Sequence, residues 1–359
     1  PSKSFHFLNV GFGAQNNSFS IGDYKKYNGK YLSESDKQDI LDNIPDDGIG
    51  AFGNVGSNIF AFSLNNYAFA ISAGAASNMH LAKEFVELAF YGNALDKRYD
   101  LSDTRGEAYG FTRVSFSYGM PVQVSLFDEF ALGGTLHYIR GIGYAEVLKS
   151  NGHLLTTLDG FDIASEVELR TALGGNGFAF DFGCAAQLDN NFAFSWTVDN
   201  LGAIRWTNEV KLYRYGTSSD SLTAEKIANT DSDSLFDDYD EEIDGDDFAT
   251  SLPAKMRFGS SYKTRAYIFS ADYIQGFSEN PGVSTTPQLA LGVEYMGFHV
   301  LPIRAGLALG GDEKFLSALG VGFKFNSFSL NLATLAHQSL LPGFGTGFGF
   351  AFDLKYGTR

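Results

Sequence analysis

Residues 347–356 read GFGFAFDLKY. In an extended chain, side chains alternate between the two faces. Phe348, Phe350, Phe352, Leu354 and Tyr356 therefore share one face, and Gly349, Ala351, Asp353 and Lys355 share the other. A soluble β-sandwich normally buries such an aromatic face and solvates the opposite one, and it would have to hide many of these faces at once. A barrel in a bilayer turns the aromatic face to lipid and the small, polar face to the lumen.

The same alternation recurs outward from that stretch. Phe323 and Phe325 turn at Asn326-Ser327 into Phe328, Leu330 and Leu332. Phe178, Phe180 and Phe182 lead through LDNN (188–191) to Phe192, Phe194, Trp196 and Val198. Phe60, Phe62 and Leu64 turn at Asn65-Asn66 into Tyr67, Phe69 and Ile71. Short turns near residues 65, 122, 189, 264, 297 and 326 alternate with longer connections (77–106, 146–175, 200–251, 276–285, 310–314, 338–344), the sidedness of a bacterial outer-membrane barrel. Thirteen strands fall after Gly48, and Phe5 to Gly13 supplies the fourteenth that an even count requires. The expectation is one all-β domain over 1–359, a transmembrane antiparallel up-and-down barrel of about 14 strands. Extensions around 154–171 and 203–215 project outside it as ribbons.

Composition agrees with that reading. The 359 residues include 34 Phe, 18 Tyr and 41 Gly but only 19% charged residues, so aromatics and glycine stand where a helical globular protein would carry Leu, Ala, Glu and Lys. No run of about 18 to 20 uncharged apolar residues occurs, which excludes a membrane-spanning helix. A single cysteine, Cys184, excludes an internal disulfide framework and a cysteine-based metal cluster. Twelve Asp and Glu against one Lys between Asp220 and Asp247 account for -11 of the net charge of -16, so the acidity belongs to one segment. A nucleic-acid partner would need a basic stripe that is absent. The chain starts at Pro1 without a hydrophobic leader, and an outer-membrane destination implies a signal peptide already removed.

Two short amphipathic helices are expected beside the strands. Within a polar N-terminal segment (14–47), Leu32 to Ile44 carries Ser33 and Asp36 as a capping box, Ile40, Leu41 and Ile44 as an apolar patch, and Pro45 as a stop. Within a helical outer loop (77–106), Ser77 to Gly92 forms the second, capped by Ser77 or Asn78, with Leu81, Phe85 and Leu88 as its stripe. Leu81, Phe85, Leu88, Ile40 and Ile44 are the candidate contacts for a greasy ligand at the barrel mouth. Packing on neighbouring loops is the commoner fate of such stripes.

The acidic outer loop (217–250) invites a calcium reading: Asp240, Glu242, Asp244 and Gly245 match the first positions of an EF-hand loop, but Ser251 stands where a bidentate Glu is required. Asp240, Glu242 and Asp244 remain only a weak calcium candidate beside a solvated loop, and no resident metal or cofactor is expected. Inward charges (Asp181, Asp199, Asp272, Glu294, Arg304, Asp353, Lys355) carry both signs, so pairing is the default. An outer-membrane phospholipase would need a Ser-His pair oriented by a third group. The six histidines lie in no local motif, and no GxSxG, HExxH or P-loop occurs, so no enzyme is expected and no catalytic residue is assigned.

The hairpin GFAFDFGCAAQLDNNFAFSWTVDNLGAIRW (177–206) resembles the FadL-like superfamily of outer-membrane barrels, and more closely an uncharacterised Bacteroidota branch of it. NNSFSIGDYKKYNGKYLSESDKQDILDNIPDDG (16–48) is similar to the opening of that branch. The resemblance implies a fourteen-stranded barrel. FadL takes up long-chain fatty acids through a plugged barrel with a lateral opening, and its relatives include aromatic-hydrocarbon channels and secretion-system partners. This chain departs from the plug, because Phe5 to Gly13 is needed as a strand. A lateral opening is expected at a bulge where the phase breaks between Phe111 and Val114. The implied role is to pass or hold a small hydrophobic molecule in the outer membrane. The alternative is an accessory or scaffold barrel of a secretion or assembly complex, binding protein partners through its outer loops.

Overall fold

The computed structural model describes residues 3–229 and 235–358. Its strands are β1 (Lys3–Asn16), β2 (Ile49–Leu64), β3 (Tyr67–Leu81), β4 (Arg98–Asp100), β5 (Arg105–Pro121), β6 (Glu129–Thr157) and β7 (Gly160–Ala172). Then come β8 (Gly175–Gln187), β9 (Phe192–Trp206), β10 (Lys211–Leu222), β11 (Asp237–Asp244), β12 (Phe248–Ser251) and β13 (Lys255–Lys263). The last are β14 (Tyr267–Gly276), β15 (Gln288–Tyr295), β16 (Ile303–Gly310), β17 (Phe315–Phe325), β18 (Phe328–His337) and β19 (Gly347–Thr358). Four short helices join them: α1 (Ile21–Tyr27), α2 (Glu34–Asn43), α3 (Lys83–Tyr91) and α4 (Ala224–Asn229).

Fourteen strands pair antiparallel in a ring: β1, β2, β3, β5, β6, β8, β9, β13 to β19, and back to β1. β1 is the Phe5–Gly13 strand that parity demanded, and Lys3 to Gln15 pair with Thr358 to Gly347 to close the wall. Phe348, Phe350 and Phe352 lie opposite Ala336, Thr334 and Leu332 on the outer face. Gly349, Ala351 and Asp353 look inward beside Leu335, Ala333 and Asn331. Rows of exposed Phe, Tyr and Leu on the other strands extend the same apolar belt, which is stable only against lipid.

The expected phase break is located differently. β5 pairs with β3 without a slip from Tyr67↔Tyr118 to His80↔Arg105, so Phe111 faces the lumen and Val114 the lipid in one unbroken alternation. The extra residue lies on β6, between Gly141 and Gly143, opposite Gly110-Phe111. A second slip sets Asn200 (φ 62°) of β9 beside Asp181, whose carboxylate accepts the Asn200 N–H at 2.6 Å in place of a ladder bond.

Beyond the barrel, upper β6 continues into β7, β10 and β11 as an antiparallel ribbon, in agreement with the expected extensions. The acidic run is not a loop there: residues 237–244 are strand β11, zipped to β10 from Lys211↔Asp244 to Ser218↔Asp237. Residues 230–234 of that expected loop lie outside the described residues. At the ribbon's base Trp206, fully buried, packs with Ile139, Tyr144, Ile204, Leu252 and Phe248 and fills one side of the barrel mouth. Its indole donates to Thr250 Oγ1 at 2.9 Å. Gly141 makes the room, since a Cβ there would sit 2.6 Å from Trp206 Cζ3.

The helices also sit at the long-loop end. α2 has the capping box read from Ser33 and Asp36, and α1, too short and polar to stand out in sequence, has an equivalent box from Ser20 and Asp23. Ile40, Leu41 and Ile44 pack against Phe19, Tyr27, Leu32, Ile49, Val86 and Phe90. The second expected helix starts later than read: Ser77 to Leu81 continue β3, paired with Ile49 to Gly53, and Ala82 occupies the cap position without a side-chain bond. Ladder pairing outweighs the helical pattern of those five residues. Gly92 ends α3 as expected.

Ser20 hydrogen-bonds the Asp23 carboxyl through its hydroxyl (2.7 Å) and its N–H (2.9 Å), which hold it below the ordinary carboxylate range. A depressed folded-state pKa stabilises α1 above the unfolded value and ceases to do so as pH falls through the folded one. Amide exchange in residues 21–27 is expected to accelerate on acidification below the usual carboxylate range, while the barrel strands stay protected. Ser20→Ala is expected to cost about 1 kcal/mol locally at neutral pH and to weaken that acid step, since the Ser20 N–H still donates to the Asp23 carboxylate.

Candidate functional site

Inward positions of the wall are small over long stretches: Gly292, Gly306, Ala318, Gly320, Ala333 and Ala351 form one patch on β15 to β19. Small side chains leave space, and the lumen holds a series of cavities. At the long-loop end about 150 Å³ lies between Gln15, Asn54, Thr286, Gln288 and Asp312. It shares Lys255, Val283 and Glu313 with a cavity of about 570 Å³ bounded by Asn9, Tyr109, Phe111, Arg113, Pro281 and His337. That one meets, at Ala351, a cavity of about 390 Å³ along Glu294, Arg304, Asn331 and Asp353. Ser270 then adjoins the largest, about 1410 Å³, at the short-turn end between Gln123, Phe127, Ser195, Ser260 and Asp272.

The 570 Å³ cavity combines aromatic walls with charged ones. The β14–β15 connection folds inward over it, with Phe277 N–H donating to Ala254 O at 3.0 Å and the Tyr109 hydroxyl donating to Pro281 O at 3.3 Å. Tyr109 stacks on Phe111 (centroids 6.1 Å apart), and the Arg113 guanidinium lies 5.0 Å from the Phe111 ring. Arg113 Nε is buried without a hydrogen bond. Among the described residues, Lys255 has no hydrogen bond or ion pair either. Two cations with open valences therefore border a cavity of mixed polar and apolar walls, with Glu313 also on its lining.

Elsewhere five of the seven inward charges read from the sequence pair: Asp181 with His137, Glu294 with Arg304, and Asp353 with Lys355. Arg304 Nε donates to Glu294 at 2.6 Å and its Nη1 to Asn331 Oδ1 at 2.9 Å, and Asn331 Nδ2 donates to Asp353 at 3.0 Å. Lys355 lies 3.4 Å from Asp353. Asp199 and Asp272 have no ion pair among the described residues.

One constellation went unseen in the sequence. Ser115 Oγ and His137 Nδ1 are 2.7 Å apart, and His137 Nε2 donates to Asp181 Oδ2 at 2.7 Å. Hydrogen-bonded serine, imidazole and carboxylate have the order of a nucleophilic triad. Here Ser115 and His137 are both buried, and neither borders any of the four cavities. The backbone at Ser115 is committed to ladders with Ala70 and His137, which leaves no amide pair to hold an oxyanion. The relay ties β5, β6 and β8 together at the level of the Asn200 slip.

The residues first selected for ligand contact do not converge. Ile40 and Ile44 are consumed in the α2 core, Leu81 ends β3, Leu88 is half-buried and Phe85 is exposed. α3 docks instead by Val86 and Phe90. Asp240, Glu242 and Asp244 extend along β11, where Lys211 pairs with Glu242 (3.1 Å) and Asp244 (2.7 Å). No group of three or more ligating residues occurs among the described residues.

Among solved structures the chain is similar to the toluene transporter TodX of P. putida (10% identity, all of this chain and 90% of that one, TM-score 0.54). It is similar to the toluene transporter TbuX of Ralstonia pickettii (12%, all of this chain and 90% of that one, 0.51). A third is a Pseudomonas aeruginosa FadL homologue (14%, 99% of this chain and 90% of that one, 0.52). At such identities these likenesses establish the fold, a FadL-like barrel. No curated protein matches. Residues 4–173 and 159–336 match the model described as "Family of unknown function (DUF5723)", and the chain belongs to that family.

Proposed function

We propose that the protein is an outer-membrane channel that passes or holds a small hydrophobic molecule without covalent chemistry on it. The observation that carries this is the series of four cavities, each sharing at least one lining residue with the next, from the long-loop end to the short-turn end. A barrel serving only as an anchor gains nothing from such space. The apolar walls of Tyr109, Phe111, Pro281 and Val283 suit a hydrocarbon body, and Arg113 and Lys255 offer a place for a polar end. The FadL-like fold, shared with two toluene transporters, supports the same reading. Exposed Phe85 and neighbouring Leu88 are the proposed first contacts outside the mouth.

Ala351→Trp, at the junction of the two middle cavities, is expected to abolish protein-dependent uptake of N-phenylnaphthylamine into intact cells while leaving the heat-modifiable gel mobility of a folded barrel intact. Uptake at the wild-type rate through Ala351→Trp refutes the channel. Native mass spectrometry of the protein extracted from its own membrane adds a second reading: a retained hydrophobic mass supports the carrier. The ribbon beyond the barrel favours the other role, a docking barrel in a larger membrane assembly, which predicts a stoichiometric protein partner and no small mass.

A further inference from the structure

The ribbon has one face that the channel does not use. Direct cross-strand partners share a face, so Asn151, Glu166, Gly216 and Tyr239 form one row across β6, β7, β10 and β11. His153, Ala164 and Ser218 form the next row on that side. Asn151, Glu166, Tyr239, His153, Ala164 and Ser218 of these rows line a trough of about 270 Å³. Its floor is made by absence: a Cβ on residue 216 would sit 2.1 Å from Tyr239 Cε1, so the tyrosine ring lies across the glycine and reaches toward the Glu166 carboxylate. Tyr239 as a whole residue keeps 41% of its surface exposed. Lys149 pairs with Glu166 at 2.6 Å and stands beside the trough.

We propose that this trough binds a pyranose sugar, stacked by its C–H face on Tyr239 and held at its hydroxyls by Asn151, Glu166 and Ser218. Each part answers a need of that ligand class. A sugar presents an apolar C–H face and a rim of hydroxyls that both donate and accept. An immobilised aromatic supplies the stacking surface without an entropy cost for fixing the ring. The side-chain amide offers both donors and an acceptor, the carboxylate accepts, and the serine does either. Lys149 offsets the Glu166 charge, so the trough does not call for a cation. The rows of polar residues exclude a purely apolar ligand. The ribbon stands outside the membrane, where glycans of the cell's own surface and free saccharides are both within reach.

The test is saturation-transfer NMR on the full-length protein in a zwitterionic detergent without sugar head groups. Maltose, cellobiose, mannobiose and chitobiose serve as free probes, and purified lipopolysaccharide serves as the membrane-borne one. Transfer to ring protons of at least one probe is expected, with binding about tenfold weaker in Tyr239→Ala and retained in Tyr239→Phe. A response confined to lipopolysaccharide and lost in Tyr239→Ala assigns the site to the surface glycan; a response to a free disaccharide assigns it to a soluble one. No transfer to any probe, or transfer indifferent to Tyr239→Ala in a protein whose heat-modifiable mobility is normal, overturns the proposal.

Discussion

Leu332→Arg will destabilise the barrel in lipid vesicles by about 2–4 kcal/mol, the cost of a lipid-facing arginine near mid-bilayer, and Ala333→Arg, one residue along, by much less. Leu332 sits midway along β18, paired with Phe352 and Val321 on the outer face. Ala333 lines the 390 Å³ cavity that also contains Asp353, so an arginine there has water and a carboxylate in reach. Guanidinium unfolding of the two variants measures the difference. Equal penalties would mean that both faces of β18 are buried in protein, which is the sandwich rather than the barrel.

Trp206→Ala should cost about 3–5 kcal/mol, the range for removing a fully buried aromatic. The loss will be local, because Trp206 joins the ribbon to the mouth rather than strand to strand within the lipid-facing wall. Its ring contacts Tyr144 at 5.3 Å and Phe248 at 6.5 Å, and Phe248 in turn lies 3.9 Å from the Arg170 guanidinium. Hydrogen exchange should therefore rise sharply in β12 and at the bases of β7 and β10 while β14 to β19 stay protected. Uniform loss of protection around the whole ring would show that the mouth core is part of the barrel's cooperative unit.

The wall of the barrel is legible from residue patterns because each strand meets lipid on one side, and lipid imposes a period of two on Phe348 to Tyr356 and its counterparts. The turns at Asn65-Asn66 and Asn326-Ser327 and the Ser33-Asp36 cap are local chemistry and equally visible. β11 was not, since DDYDEEID has no apolar face and pairs only because β10 is beside it. The extension of β3 through Leu81 was hidden by residues that suit a helix as well. The lumen site draws Tyr109, Lys255, Pro281 and His337 from distant segments, and no spacing announces that. One signal existed: counting back from Val114 puts Phe111 and Tyr109 inward, so the supposed phase break marked aromatics on the lumen side.

The seam between β1 and β19 also sets an order on how the molecule is made. Lys3 cannot meet Thr358 until every other strand exists, so the first hairpin to be synthesised waits with one edge open for the last. An open edge in hydrocarbon leaves each unpaired N–H and C=O at a cost of several kcal/mol, and in water a glycine- and phenylalanine-rich edge invites pairing with another chain. Half-built sheets are thus neither insertable nor safe. Closure and entry into the bilayer must be nearly one event, with β1 shielded by some other agent until β19 arrives.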